Sequence, residues 1–214
     1  MRRMGWLGVA LIFLSVGVSA AEVGLVTALS GVVKLQEEKS AASVLGAFVK
    51  LREGDRLTLQ GNVRLQIVFF DGGREETWLG AGTLAVGRES SQVVKGSLQS
   101  AIRTLPAILV KQLAKTPSSD GPVKVGMIRM RSIQPVTSLE PVEAEYAELR
   151  KQAAADDRNP ELYLLASYFE LREFEKLDGV LKRLDDANPG DAQLAALKTH
   201  YSQAVSKAKM PDGR

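Results

Sequence analysis

Residues 63–79, with the sequence VRLQIVFFDGGREETWL, predict the fold more clearly than any other part of the chain. From Val63 onward apolar residues alternate with polar ones, and towards Phe70 the stretch becomes apolar on both faces. A strand that passes from half-buried to fully buried gives this pattern. Asp71-Gly72-Gly73 is a hairpin sequence, and Glu75–Leu79 returns with Trp78 as a large apolar anchor. The stretch therefore predicts an antiparallel β-hairpin.

The chain on either side of this hairpin alternates short apolar runs with glycine. We expect an opening pair of strands around Ser30-Gly31, a tight turn at Gly54, a short strand at 57–59 that ends at Gln60-Gly61-Asn62, and a further strand at 83–86. Short strands with frequent glycine predict a compact, mainly antiparallel β sandwich or roll over residues 21–96.

The periodicity changes near Ser97. Leu98, Ile102, Leu105 and Leu109 lie at helical spacing, and Pro106 interrupts them, which predicts two short helices or one kinked helix. A loop at 116–122 follows, and residues 123–131 alternate imperfectly, as one more strand would. We therefore interpret residues 97–140 as a bridging region.

The remainder of the chain has helical patterning. Helices are expected from Val142, from Asn159-Pro160 to about Leu171, from Phe174 to Ala187, and over roughly 192–207, before a tail at 210–214. The sequence thus predicts an α+β protein with a helical domain at residues 141–209.

The first twenty residues have the pattern of a signal peptide. Arg2 and Arg3 precede an apolar run from Trp6 to Val18, and small residues end it at Ala20. This run is shorter than the roughly 20 residues that span a bilayer as a helix. We predict cleavage after Ala20 and a periplasmic location. The alternative is an uncleaved anchor in the inner membrane, the one case in which we expect membrane contact.

Composition excludes several function classes. The net charge of +3 counts Arg2 and Arg3 among the 28 basic residues. Without these two arginines, 26 basic residues remain against 25 acidic ones, so the net charge is +1. That is not the basic surface of a nucleic-acid-binding protein. There is no cysteine, so disulfides and thiolate ligands are excluded, and the single His200 cannot form a multi-histidine metal site. We predict no metal, no cofactor and no nucleic-acid partner.

Four carboxylates in the β region are the candidates for catalysis. Asp55 and Asp71 belong to glycine turns, where aspartate is common for conformational reasons. Glu75 and Glu76 are adjacent in a strand, so their side chains point to opposite faces and cannot act as a pair on a glycan. The sequence therefore predicts that the protein is not an enzyme.

The β region resembles the FecR domain of bacterial envelope proteins over roughly residues 24–87. The matching residues are Gly31, Val33, Leu51, Gly54-Asp55, Leu57, Thr58, Leu65, Ile67, Phe69 and Asp71-Gly72-Gly73. The founding protein of this type relays an outer-membrane signal to a cytoplasmic sigma factor through a cytoplasmic N-terminal segment. Here only about three residues precede the apolar run, so the resemblance favours binding or scaffolding in the envelope over signalling.

The helical region resembles a tetratricopeptide repeat followed by part of a second one. The matching positions are Leu164, Tyr168, Phe174, Leu181, Leu184 and Pro189. Glu161, Leu165 and Leu177 depart from the consensus, which has an aromatic or small residue at these positions. The resemblance implies stacked antiparallel helices, and a generic helical hairpin is the alternative.

Two surfaces are candidate binding sites. Leu162, Ala166 and Phe169 share one face of a helix and would form a groove for a partner protein if that face is open, although a neighbouring helix could cover it. Trp78 would stack on cell-wall glycan if its ring is exposed, although burial beside the hairpin is the alternative. We therefore expect a non-catalytic binding or scaffolding module with a protein partner in the envelope, or alternatively with peptidoglycan.

Overall fold

The computed structural model describes residues 21–37, 40–118 and 138–210, which form an α+β structure. The strands are β1 Glu22–Gln36, β2 Ser43–Val44, β3 Lys50–Arg52, β4 Arg56–Phe69, β5 Arg74–Val86 and β6 Ser91–Thr104. The helices are α1 Ala107–Leu113, α2 Leu139–Gln152, α3 Asn159–Glu170, α4 Phe174–Ala187 and α5 Ala192–Lys209. All pairing within the sheet is antiparallel, in the order β2-β1-β4-β5-β6, and β3 pairs with β1.

The predicted hairpin is confirmed. Strands β4 and β5 pair from Arg56↔Ala85 to Val68↔Glu75, and the connection contains Gly72 and Gly73, both at positive φ. The alternating residues Val63, Leu65, Ile67 and Phe69 are all buried in one core. The face of β4 that the alternating pattern predicts to be buried is therefore the face that packs into the core.

The prediction of several short strands is wrong. Ser30-Gly31 lies inside the continuous strand β1, Gln60-Gly61-Asn62 lies inside β4, and Gly80 and Gly82 lie inside β5. The pairing register shifts at Ser30/Val32 and at Leu59/Val63, so these glycines mark β-bulges within long strands and not turns between short ones.

Glycines at and beside these bulges form one row across the sheet, which we call the glycine crease. It consists of Gly31, Gly61, Gly80 and Gly96, one from each long strand and all at positive φ. Neighbouring strands meet there closely, and a Cβ at Gly96 would lie 2.5 Å from the Ala81 carbonyl oxygen. Bulges increase the local bend and twist of a sheet. The crease therefore folds the sheet over its own core-side face.

Glu76 links the two halves of the folded sheet. It is fully buried and accepts hydrogen bonds from Arg74 Nε at 2.6 Å, Trp78 Nε1 at 2.9 Å and the Ser91 backbone N–H at 3.1 Å. Ser91 pairs with Val86, at the opposite end of β5 from Glu76. A buried carboxylate is tolerated because it has several donors, and here they come from both halves.

The helix predicted from Ser97 is not present. Residues 97–104 continue strand β6, and α1 begins only after Pro106. Leu98 and Ile102 are four positions apart, a spacing that also places two residues on the same face of a strand. The bridging region therefore begins as strand, and the strand predicted at 123–131 lies outside the described residues.

The later helices are confirmed in number and position. Helix α4 has the predicted bounds, and α3 packs against α1, α2 and α4, while α4 packs against α5. Glu161, where a repeat consensus has an aromatic residue, is 3.0 Å from Arg150 of α2. No helix among the described residues is long and apolar enough to cross a membrane.

The helices and the sheet share one hydrophobic core. Leu25, Phe48 and Val68 of the sheet and its loop belong to the same buried cluster as Leu105 and Tyr163. In addition, the Gln193 side chain of α5 donates to the Leu29 carbonyl at 2.6 Å and accepts from the Leu29 N–H at 3.2 Å. The helices therefore cover one end of the sheet face opposite the folded core.

Candidate functional site

Strand β6 lies at the edge of the sheet and is its most exposed long strand. Within the described residues it pairs only with β5, so its other edge has free backbone N–H and C=O groups. The strand is 14 residues long, and only Ser91 and Leu98 are even partly shielded from solvent. Natural proteins rarely leave such an edge uncovered, because it can pair with another strand.

The core-side face of β6 has uncovered apolar side chains. Val93 pairs with the buried Leu84 and Ile102 pairs with the buried Glu76, so both point to the same side as the folded core. Val93 is nonetheless 46% exposed and Ile102 51%, while Leu98 between them packs partly on the core. Together these three residues form what we call the β6 apolar row, an extension of the core to the open edge.

The opposite face of β6 is basic. Lys95 and Arg103 are eight positions apart without an intervening register shift and lie on this face, and β6 has no acidic residue. Lys95 is exposed and has no ion pair among the described residues. Arg103, in contrast, is engaged by the helical region.

Arg103 joins the edge strand to the start of α3. Its guanidinium donates to Glu75 on β5, with Nη2 at 3.0 Å from Oε2, and also to Asp157 in the α2–α3 connection. Asn159 Nδ2 donates to the same Glu75 carboxylate, and the Asp157 side chain accepts from the Asn159 N–H at 2.9 Å. Hydrogen bonding to Glu75 raises the pKa of Arg103 above its ordinary value, so the guanidinium stays charged.

A shallow cleft of about 190 Å³ lies beside this junction. It is open to solvent, and its lining is mostly polar or charged: Arg64, Gln66, Glu75, Thr77, Ala101, Ile102, Arg103, Ala154, Asp156 and Asp157. Glu75 and Asp157 are already hydrogen-bonded, so the cleft presents few free groups to a ligand. Its geometry favours a structural junction over a catalytic pocket.

The groove predicted on α3 is not open. Leu162 and Ala166 are both 1% exposed, and the half-buried Phe169 has its ring centroid 6.1 Å from that of Tyr201 on α5. Helix α3 is the central helix, so its neighbours cover this face as well as the opposite one. Adjacent helices cover this face, as the alternative interpretation of the sequence expected.

Trp78 is also buried. It is 6% exposed within the folded sheet, and its indole N–H is bonded to Glu76. A ring that stacks on a sugar needs an open face. The structure therefore places Trp78 in the core, where its ring is not available to stack on a glycan.

The four candidate carboxylates are not brought together. Glu75 and Glu76 have separate partners on opposite faces of β5, and Asp71 is 3.5 Å from Arg88 at the surface. Asp55 accepts from the Arg52 N–H at 2.8 Å, as an aspartate in a turn does. Among the described residues, no group of three potential metal ligands is found.

Comparison with protein-family models, curated proteins and solved structures finds no match to this chain.

Sequence reasoning missed β6 as a site because its second half, from Ser97 onward, was interpreted as helix. A signal was nevertheless present in Val93-Val94-Lys95-Gly96, where β-branched residues lie close to a glycine, as Val32-Val33 do after Gly31 in β1. The lysine beside the glycine was a further sign, since charged residues are common on edge strands.

Proposed function

We propose that the protein is a non-catalytic binding or scaffolding module that engages a protein partner through the open edge of β6. The observation that supports this most directly is that one long strand has both the β6 apolar row and backbone groups that no other strand in the described part of the chain pairs with. Strand addition at an exposed sheet edge is a general mode of peptide recognition, in which the backbone provides affinity and side-chain rows provide specificity.

The place of this activity is proposed to be the bacterial envelope. The signal-peptide pattern of residues 1–20 and the resemblance of the sheet region to FecR domains support this part of the proposal. The tetratricopeptide-like spacing of the helical region supports a structural role for the helices: α5 is hydrogen-bonded to Leu29 of β1, and Asp157 in the α2–α3 connection pairs with Arg103 of β6. An intact mass of the protein purified from an envelope fraction would show whether Ala21 is the first residue.

The proposal is tested by affinity capture from an envelope fraction with full-length variants. Ile102→Lys places a charge in the β6 apolar row, and Val44→Lys makes the same change at a 74% exposed valine on β2, the opposite edge. We expect Ile102→Lys to lose partners that the wild type and Val44→Lys retain, with unchanged melting temperatures. Equal capture by all three proteins would contradict the proposal.

Point variants are preferable to truncation in this experiment. Removing residues 141–214 would expose Leu25 and Val68, which share their core with the helices. Lost capture would then report unfolding of the sheet as readily as loss of a binding surface.

A further inference from the structure

We infer that the partner binds to β6 as an additional strand whose side chains alternate between apolar residues on one face and acidic residues on the other. This inference rests on the proposed function and names the chemistry of the segment that β6 accepts. It follows from a backbone edge that no described strand covers, from the two unlike faces of β6 and from the charge of Lys95 on one of them.

The free edge of β6 sets the binding mode. A strand added beside β6 satisfies the backbone groups that β5 leaves unpaired and extends the antiparallel ladder. Its side chains then project alternately to the two faces of the sheet. One set lies beside the β6 apolar row, and the other lies beside Lys95.

The β6 apolar row determines which residues the added strand has on its core-side face. Val93, Leu98 and Ile102 are the rim of the core that the crease folds, and they are only partly covered. Aliphatic side chains on the added strand would bury the exposed parts of this row. Val94, which is 51% exposed at the register shift between β5 and β6, lies next to the same rim.

The charge on the other face of β6 determines the second half of the side-chain pattern of the added strand. It also distinguishes among the segments that could bind there. Among the basic residues of β6 and the turn before it, Lys95 has no ion pair within the described residues, whereas Arg103 is paired with Glu75 and Asp157, and Arg88 with Asp71. A second copy of β6 would bring the same charge to the edge, and a lysine within an edge strand is a recognised device against such self-pairing. An acidic strand converts the same lysine into an attractive contact.

The chain's own residues 119–137 are disfavoured by the same argument. This segment contains Lys124, Arg129 and Arg131 against Asp120, a formal charge of +2 that would lie beside Lys95. Like charges on adjacent strands are destabilising. A separate acidic segment is therefore the occupant that the electrostatics of β6 favour.

The test uses two labelled nine-residue peptides and the full-length protein. One peptide alternates valine with glutamate, and the other has lysine in place of each glutamate. Fluorescence anisotropy at low and high salt gives their affinities for the wild type, Lys95→Glu and Ile102→Lys. Hydrogen exchange of β6 amides with and without peptide locates the site, and Trp78 fluorescence shows that each variant is folded.

We expect the glutamate peptide to bind the wild type about tenfold more tightly than the lysine peptide, with a preference that weakens at high salt. Lys95→Glu should reverse the preference, Ile102→Lys should weaken both peptides, and β6 amides should become protected. Equal affinity of the two peptides, or protection elsewhere in the protein, would overturn the inference.

Two further outcomes would also overturn it. Sedimentation as a dimer that Ile102→Lys dissociates would show that a second copy occupies the edge. Protection of β6 amides in the free protein that is lost when residues 119–137 are replaced by a glycine-serine linker would show that the chain covers its own edge. If the peptides fail while envelope capture still depends on Ile102, the proposed function stands and only the acidic pattern is wrong.

Discussion

The buried carboxylate of Glu76 shows how one residue can fix the shape of a sheet. Its donors come from β5 and from Ser91, which the crease brings back over the start of the same strand. Sequence reasoning placed Glu76 and Glu75 on opposite faces, and the separate partners of the two side chains confirm this. The donors of Glu76 could not be predicted, because they meet only once the sheet has folded at the crease.

Replacing Glu76 with glutamine should destabilise the protein by about 3 kcal/mol, as is typical when one member of a buried charged network is removed. An amide has one acceptor oxygen where the carboxylate has two, and its NH₂ group would face N–H donors. Urea denaturation monitored by Trp78 fluorescence measures the change. Glu89→Gln, in the exposed β5–β6 turn, is the matched control and should change stability by less than about 0.5 kcal/mol. Similar stabilities for the two variants would contradict the role given to Glu76.

At the crease, Gly96→Ala should destabilise the protein by about 2 kcal/mol or more. The added Cβ would lie 2.5 Å from the Ala81 carbonyl oxygen, and the residue would remain at φ 96°. Gly179→Ala in α4 is the control of opposite sign. Its Cβ meets only Arg183 Nη1, at 3.8 Å, so better helix propensity should stabilise the protein by about 0.5–1 kcal/mol. Thermal unfolding of both variants tests this pair, and a tolerated Gly96→Ala would show that the crease does not require glycine.

Among the secondary-structure elements, those with one strong local signal were predicted best. The β4–β5 hairpin has a turn sequence between alternating strands, and α3 and α4 have a proline near the first turn or an amphipathic pattern. The strands β1, β4 and β5 were divided in error, because a glycine inside a long strand and a glycine between two short strands look alike in sequence. The difference depends on whether a neighbouring strand bulges at the same level, which is a property of the sheet.

Helix α5 depends on Asp191 at its N-terminus. The carboxylate accepts from the Gln193 N–H at 2.8 Å and pairs with Arg158. Burial opposes ionisation of Asp191, but the hydrogen bonds from Arg158 and Gln193 outweigh it and hold the pKa of Asp191 below its ordinary value. Asp191→Ala should therefore cost about 1 kcal/mol at pH 7.

This contribution should also depend on pH. A carboxylate whose pKa is lowered by folding stabilises the native state above its unfolded pKa of about 3.9, and loses that effect as the pH falls through the folded pKa. The stability difference between wild type and Asp191→Ala should thus be constant from pH 5 to 7 and shrink below pH 4. Urea denaturation at a series of pH values measures it. A difference that grows on acidification would contradict the assignment.

At the scale of the whole molecule, the sheet and the helices are expected to unfold together. Tyr163 of α3 is 1% exposed and belongs to the cluster that contains Leu25 and Val68 of the sheet. Tyr163→Ala should cost about 3–5 kcal/mol. It should lower the melting midpoint equally in Trp78 fluorescence, which reports on the sheet, and in circular dichroism at 222 nm, which reports on the helices. A shift in the helical signal alone would show two independent units.

The candidate site could be predicted only in part, because the exposure of a face depends on the rest of the fold. Leu162, Ala166 and Phe169 have the periodicity of an exposed groove, yet α3 is surrounded on both faces. Conversely, Leu98 and Ile102 fit a helix and lie on an edge strand. Periodicity shows which residues share a face, but whether that face is covered depends on contacts with residues far away in the chain.

The pairing of Gln193 with Leu29 has a consequence for the order in which the protein folds. These residues are separated by 164 positions, and the amide side chain provides both hydrogen bonds that another backbone would give at the bulged part of β1. Contacts between distant residues form late and slow folding. During synthesis, this link between β1 and α5 can therefore form only after Gln193 has left the ribosome, when the rest of the sheet is already complete. A nascent chain halted before residue 193 should be far more sensitive to protease than the complete chain.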